Sequence, residues 1–241
     1  MKTFIHFLFI PFLFIAILLQ QKLLMPANNS TAINTTEILL NTFNDKNSDD
    51  ALTLSQVDAS SENFLPSNKI FSFAEANKIR TDLYKQLESN PKSIPINWAL
   101  MRYYLTAPNL VGGSNYEALH YAGYIYSLDR YLGCIAYETV YNYMREWNKA
   151  EEWYRNSLNV SLPKTMFWQE ITYSRKNVAS LKVVGNFNNW KMQNMYEKTA
   201  GLYSRKVMVP ICEGCQYKLV VNNSNIQEPT KTEITGNSWQ K

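Results

Sequence analysis

Read for apolar rhythm, the chain falls into four stretches. Residues 4–25 are almost continuously apolar, from Phe4 through Leu19 and on to Leu23, Leu24 and Met25. Residues 26–68 are rich in Asn, Ser and Thr, and their Leu39, Leu40 and Leu52 support no more than a transient helical turn. From about Phe73 apolar positions recur every three to four residues, the spacing of helices with one buried face. After Pro163 the period becomes two, the spacing of half-buried strands.

In the third stretch, Ile79, Leu83 and Leu87 predict a helix that stops at Asn90-Pro91. Trp98, Met101 and Leu105 carry a second, closed by Ala107-Pro108. Gly112-Gly113-Ser114 forms a turn whose serine caps a third, with Ala118, Tyr121, Ala122, Ile125 and Leu128. A fourth follows Asp129 through Ile135, Tyr137, Val140 and Tyr141, and a fifth holds Ala150, Trp153, Tyr154 and Leu158. In the fourth stretch, strands are predicted around Phe167–Tyr173, Leu181–Gly185, Tyr203–Val209 and Tyr217–Val221. Turns fall at Asn188-Asn189 and Cys212-Glu213-Gly214-Cys215. The fold class that follows is multidomain, α plus all-β: an N-terminal membrane helix or signal, a helical-repeat domain over 69–163, and a small β-sandwich over 164–241.

Lys2 ahead of the apolar run is the mark of a secretory signal or a signal anchor. The 22 residues 4–25 reach about 33 Å as a helix, enough to cross a bilayer. Met25 stands where a cleavage site wants a small residue, so an anchor is preferred to a cleaved signal. Lys2 keeps the amino end in the cytoplasm and the remainder is exported, with residues 4–25 in the membrane. Residues 26–68 carry six acids against the single Lys46 and read as a disordered acidic tether.

Composition narrows the chemistry. Hydrophobic residues make up 46% of the chain and charged residues 18%, so a folded core is expected. Outside the apolar segment His120 is the only histidine, which argues against multi-histidine metal sites and histidine relays. No phosphate-cradling glycine loop and no nucleophile elbow occurs. The acids of the strand region suggest no hydrolase pair. The expectation is no enzyme, no catalytic residue, no metal and no cofactor. Residues 164–241 hold eleven Lys or Arg against five Asp or Glu, yet an exported domain is not expected to meet nucleic acid. In an oxidising compartment Cys212 and Cys215 could form a turn disulfide, leaving Cys134 as an odd thiol.

Two resemblances sharpen these readings. The residues Tyr137, Tyr141, Ala150, Tyr154, Ser157-Leu158 and Pro163 resemble a tetratricopeptide repeat, with Ala150 where the two helices cross. An offset of 32 residues brings Ala118, Ala122 and Ile125 onto Ala150, Tyr154 and Ser157. The repeat's usual Trp and Gly positions are taken by Cys134 and Glu138, so the pattern is degenerate. Such repeats imply a concave surface that holds a protein partner, whose identity the sequence does not reveal.

Val183-Val184-Gly185-Asn186-Phe187-Asn188-Asn189-Trp190, then Gly201-Leu202-Tyr203, Tyr217-Lys218-Leu219-Val220-Val221-Asn222 and Glu228-Pro229, resemble the glycogen-binding module of the AMP-activated kinase β subunit, a family 48 carbohydrate-binding module. The resemblance implies an immunoglobulin-like sandwich that binds α-glucan. Trp190 would stack on a glucose ring and Lys218 would donate to sugar hydroxyls. The family's second stacking Trp is replaced by Asn225, and Trp239 is the candidate substitute platform. The combined expectation is an exported, membrane-anchored, non-enzymatic scaffold or adaptor with a protein-binding helical surface, the alternative being an α-glucan-binding protein.

Overall fold

A computed structural model describes residues 51–65, 72–176, 178–211, 215–222 and the backbone of 224–231. Among these are six α-helices and two small antiparallel sheets, a mixed α and β architecture. Helices and sheets belong to one compact unit, Lys46–Lys241. The change from helix to strand falls between Ser157 and Met166.

The helices are α1 (Leu54–Glu62), α2 (Phe73–Ser89), α3 (Ile94–Thr106), α4 (Asn115–Leu128), α5 (Arg130–Tyr143) and α6 (Trp147–Ser157). Their starts are set by side-chain caps. Ser72 and Glu75 form a reciprocal capping box at α2, and Ser93, Ser114 and Asp129 cap α3, α4 and α5. Pro95 occupies the first turn of α3, where its missing N–H costs nothing. Helix α3 runs through the centre of the bundle: Ile96, Ala99, Leu100, Met101 and Tyr103 are all fully buried. Helices α4 and α5 meet backbone to backbone at Gly133, where a Cβ would lie 2.1 Å from the Tyr126 Cα.

Helix α1 lies within residues 26–68, where composition predicts a disordered tether, and for Leu54–Glu62 that expectation is corrected. Thr53 and Gln56 form a capping box, and Leu54 and Val57 are buried. Two apolar side chains in one turn, packed on α3, outweigh the polar composition around them. The membrane segment 1–25 and the remainder of the tether to residue 50 lie outside the described residues. Among the described residues no helix is long and apolar enough to cross a membrane.

The strands are β1 (Met166–Ser174), β2 (Leu181–Gly185), β3 (Gln193–Asn194), β4 (Tyr196–Thr199), β5 (Leu202–Pro210), β6 (Gln216–Val221) and β7 (Ser224–Lys231). One sheet has the order β1-β5-β4 and the other β3-β2-β6-β7, all pairs antiparallel. Ile171, Val207 and Val209 from the first sheet share a core with Leu181, Val183 and Val221 from the second, joined by Phe187, Met195 and Cys215. The chain crosses between sheets within two residues, from Asn194 in β3 to Tyr196 in β4.

Candidate functional site

The turn after β2 sorts its side chains by direction. Gly185 ends the strand where a Cβ would lie 2.5 Å from the Gln216 carbonyl oxygen. Phe187 turns inward to the sheet core. Asn188, buried, holds the turn: its Oδ1 accepts from the Gly185 N–H at 2.9 Å, and its Nδ2 donates to the Lys191 carbonyl at 2.7 Å. Asn189 and Trp190 both adopt left-handed backbone, φ 52° and 57°. That conformation is costly for non-glycine residues and persists where surrounding contacts enforce it. It brings Trp190 outward, 47% exposed, with Lys218 Nζ 5.9 Å from the indole centroid. The separation lies at the outer reach of a cation–π contact.

Lys218 pairs with Val184 across β2–β6 and sits where the β6–β7 register shifts. The structure therefore brings Trp190 and Lys218 together, the pairing the sequence suggests. Asn225 stands opposite Val220 in the backbone ladder of β7, and its side chain is not among those described. Trp239 and Cys212 lie outside the described residues. Cys215 is buried in the sheet core as a free thiol, and the expected turn disulfide falls on Cys212, outside the described residues. Burial raises the thiols of Cys134 and Cys215 to about 11, so neither is a thiolate at neutral pH. Among the described residues no group of three His, Cys, Asp or Glu could hold a metal.

Helix α1 reaches this turn. Asn189 Nδ2 donates to Asp58 Oδ2 at 3.2 Å and to Glu62 Oε2 at 3.4 Å, and Lys191 forms an ion pair with Glu62. On its other side Asp58 accepts from Trp98 Nε1 at 3.2 Å and pairs with Arg102 at 3.2 Å. One carboxylate thus joins α3 to the turn beside Trp190. The hydrogen bond and charge of Lys191 hold the Glu62 carboxyl below its ordinary pKa.

A second junction is dry. Glu138 on α5 and Arg205 on β5 are 2% and 1% exposed and meet in a bidentate pair, Nη1 to Oε1 at 2.7 Å and Nη2 to Oε2 at 2.8 Å. Tyr196 Oη donates to Glu138 Oε1 at 2.9 Å, and Arg205 Nη1 also donates to the Asn194 carbonyl at 2.8 Å. The guanidinium carbon lies 4.6 Å from the Tyr154 ring centroid, and Tyr154 stacks on Tyr196. Tyr154 Oη in turn accepts the Lys206 backbone N–H at 2.7 Å. Only Arg205 Nε lacks a partner in this cluster. Burial opposes the charge on Arg205, but the Glu138 carboxylate outweighs it and raises the pKa. Burial, reinforced by Glu138, raises that of Tyr196. Neither Glu138 nor Arg205 carries a local sequence signal for this role; Glu138 stood out only as a departure from the repeat pattern.

The tyrosines of the helices divide. Tyr121 is buried, its ring stacked on Tyr104 and its hydroxyl bonded to that of Tyr84. Tyr137 stacks on Trp153 with centroids 4.1 Å apart. Tyr124 and Tyr143 remain exposed, and so does Trp147. His120 packs edge-on against Tyr121. No family model matches the chain, and no curated protein matches it in sequence.

Proposed function

We propose that this chain is a non-enzymatic scaffold or adaptor, exported and held at a membrane through residues 4–25, whose helices and sheets together form one platform for a protein partner. The observation that carries the reading is the Glu138–Arg205 pair. It ties α5 to β5 with both charges buried, as a rigid two-part platform requires and a freely swinging binding module does not. A degenerate tetratricopeptide pairing is supported by the 32-residue offset. Ala118, Ala122 and Ile125 are buried, as are Ala150, Tyr154 and Ser157. An immunoglobulin-like sandwich related to glycogen-binding modules is supported by two antiparallel sheets over a shared core, with the Phe-Asn-Asn-Trp turn at the end of β2.

The second reading is α-glucan binding, favoured by the exposed Trp190 beside Lys218. An apolar pyranose face suits an indole, and an ammonium group suits its hydroxyls. Against it, the polar neighbours Asn189 and Lys191 are already engaged by Asp58 and Glu62. The test is maltoheptaose titration and glycogen cosedimentation of the full chain in phosphatidylcholine nanodiscs, beside Trp190→Ala. The scaffold reading expects no saturable binding. Saturable binding lost in Trp190→Ala replaces it with glucan binding.

A further inference from the structure

We infer that the cleft between the α5–α6 turn and the β2–β3 edge is the partner-binding surface of this scaffold, and that it takes an acidic peptide segment carrying aromatic or aliphatic anchors. The inference rests on the scaffold reading above and names the partner's chemistry. The cleft encloses about 720 Å³ between Leu105, Tyr143 and Trp147 on the helical side and Val178, Lys182 and Met192 on the sheet side. Clefts of this size at the junction of two structural parts are where proteins hold ligands.

The helical wall is built by one turn. Helix α5 ends as Arg145 enters the left-handed region, φ 63°, and the Glu146 N–H donates back to the Tyr141 carbonyl at 2.9 Å. Glycine is the usual residue at such a helix end, and here the position holds an exposed arginine instead. The turn sets Tyr143, Arg145 and Trp147 within five residues, with each aromatic 55% exposed. Met192 faces the same cleft from the sheet side, 61% exposed. Trp, Tyr and Arg are the residue types that dominate binding energy at protein interfaces, and Met adapts to varied partners.

Charge selects the occupant. The one carboxylate lining the cleft among the described residues is Glu138, and Arg205 neutralises it. Arg102 is held by Asp58. Lys182, in the wall, and Arg145, in the turn, take part in none of the ion pairs among the described residues. A cleft with one uncompensated cation in its wall, Lys182, and a second, Arg145, in the turn beside its exposed aromatics is complementary to carboxylates spaced by apolar anchors, and it repels basic segments.

The probe is a short fluorescein-labelled peptide alternating Leu and Phe with Asp and Glu, beside its Asn/Gln and Lys counterparts. Anisotropy is read against the full chain in phosphatidylcholine nanodiscs. The acidic peptide is expected to bind about tenfold more tightly than the amide form, with the lysine form not binding. Trp147→Ala should weaken it about tenfold, and Lys182→Glu or Arg145→Glu several-fold, while Tyr116→Ala, at an exposed aromatic of α4 outside the cleft, changes nothing. Tyr143→Ala provides a second anchor variant, and the helical circular dichroism of each variant checks its fold. Equal binding of the acidic and amide peptides overturns the assignment. So does indifference to both Trp147→Ala and Tyr143→Ala, or failure of the acidic peptide to bind. If maltoheptaose binds through Trp190 instead, the scaffold reading falls with it. If neither probe binds, only the cleft assignment falls.

Discussion

Two seams join the helices to the sheets, made of the same groups with different access to water. At Glu138–Arg205 both charges are fully buried and share a bidentate geometry, with Tyr196 and Asn194 taking up further valences. At α1 the groups grade outward. Asp58 is buried between Trp98, Arg102 and Asn189, while Glu62 and Lys191 are 42% and 47% exposed. Burial makes an ion pair costly to break without making it a large source of stability, because desolvation offsets much of the attraction. Exposure makes a pair weak and screened. The inner seam therefore fixes which surfaces meet, and the outer seam adjusts how firmly α1 and the Trp190 turn are held.

The sharpest way to break this contrast is Glu138→Ala, which strands Arg205 in a dry site. A loss of about 3–5 kcal/mol in chemical denaturation is expected, and Arg205→Met added to it should restore most of that loss. If the single substitution costs less than about 1 kcal/mol, the inner seam admits water and the two seams are alike. Asp58→Ala comes next, at about 1–3 kcal/mol, because it leaves the Trp98 indole N–H unpaired and Arg102 with the Ser61 hydroxyl in place of a carboxylate. Amide exchange in α1 should accelerate in that variant while α5 stays protected.

Glu62→Gln is smaller, under about 1 kcal/mol, and its effect should vanish in concentrated salt. The least effect is with pH. The folded pKa of Glu62 lies below its ordinary value near 4.5. Its contribution is complete above that value and disappears as pH falls through the depressed one. Exchange protection of α1 should follow this course, and Glu62→Gln should flatten it.

The helices from Phe73 onward were legible because each carries its own instructions. Ser114 and Asp129 cap the helices they precede, and apolar residues recur at helical spacing. The longer strands were legible in the alternation of Leu181–Gly185 and Tyr203–Val209. Strands β3 and β4 were not, being two and four residues long and mostly polar. Nor was β7, which contains Pro229 among polar residues. Helix α1 did leave a signal, the Thr53-to-Gln56 capping box with Leu54 and Val57, but it sits in Asn- and Ser-rich surroundings, and Trp98 and Asn189, which fix it, lie far along the chain. Of the candidate site, the closeness of Trp190 and Lys218 could be read from the resemblance, whereas the bond of Asn189 to Asp58 spans 131 residues and leaves no local trace.

The bidentate pair has a consequence for how the chain can change over generations. A substitution at 138 alone or at 205 alone passes through a state with a stranded charge, so the two positions are constrained to be inherited as a couple: acid with base, or both apolar. Positions 62 and 191, wet and weakly coupled, carry no such restriction and can drift separately. Among descendants of this sequence, linked variation between 138 and 205, 67 residues apart, would be the lasting imprint of the dry seam.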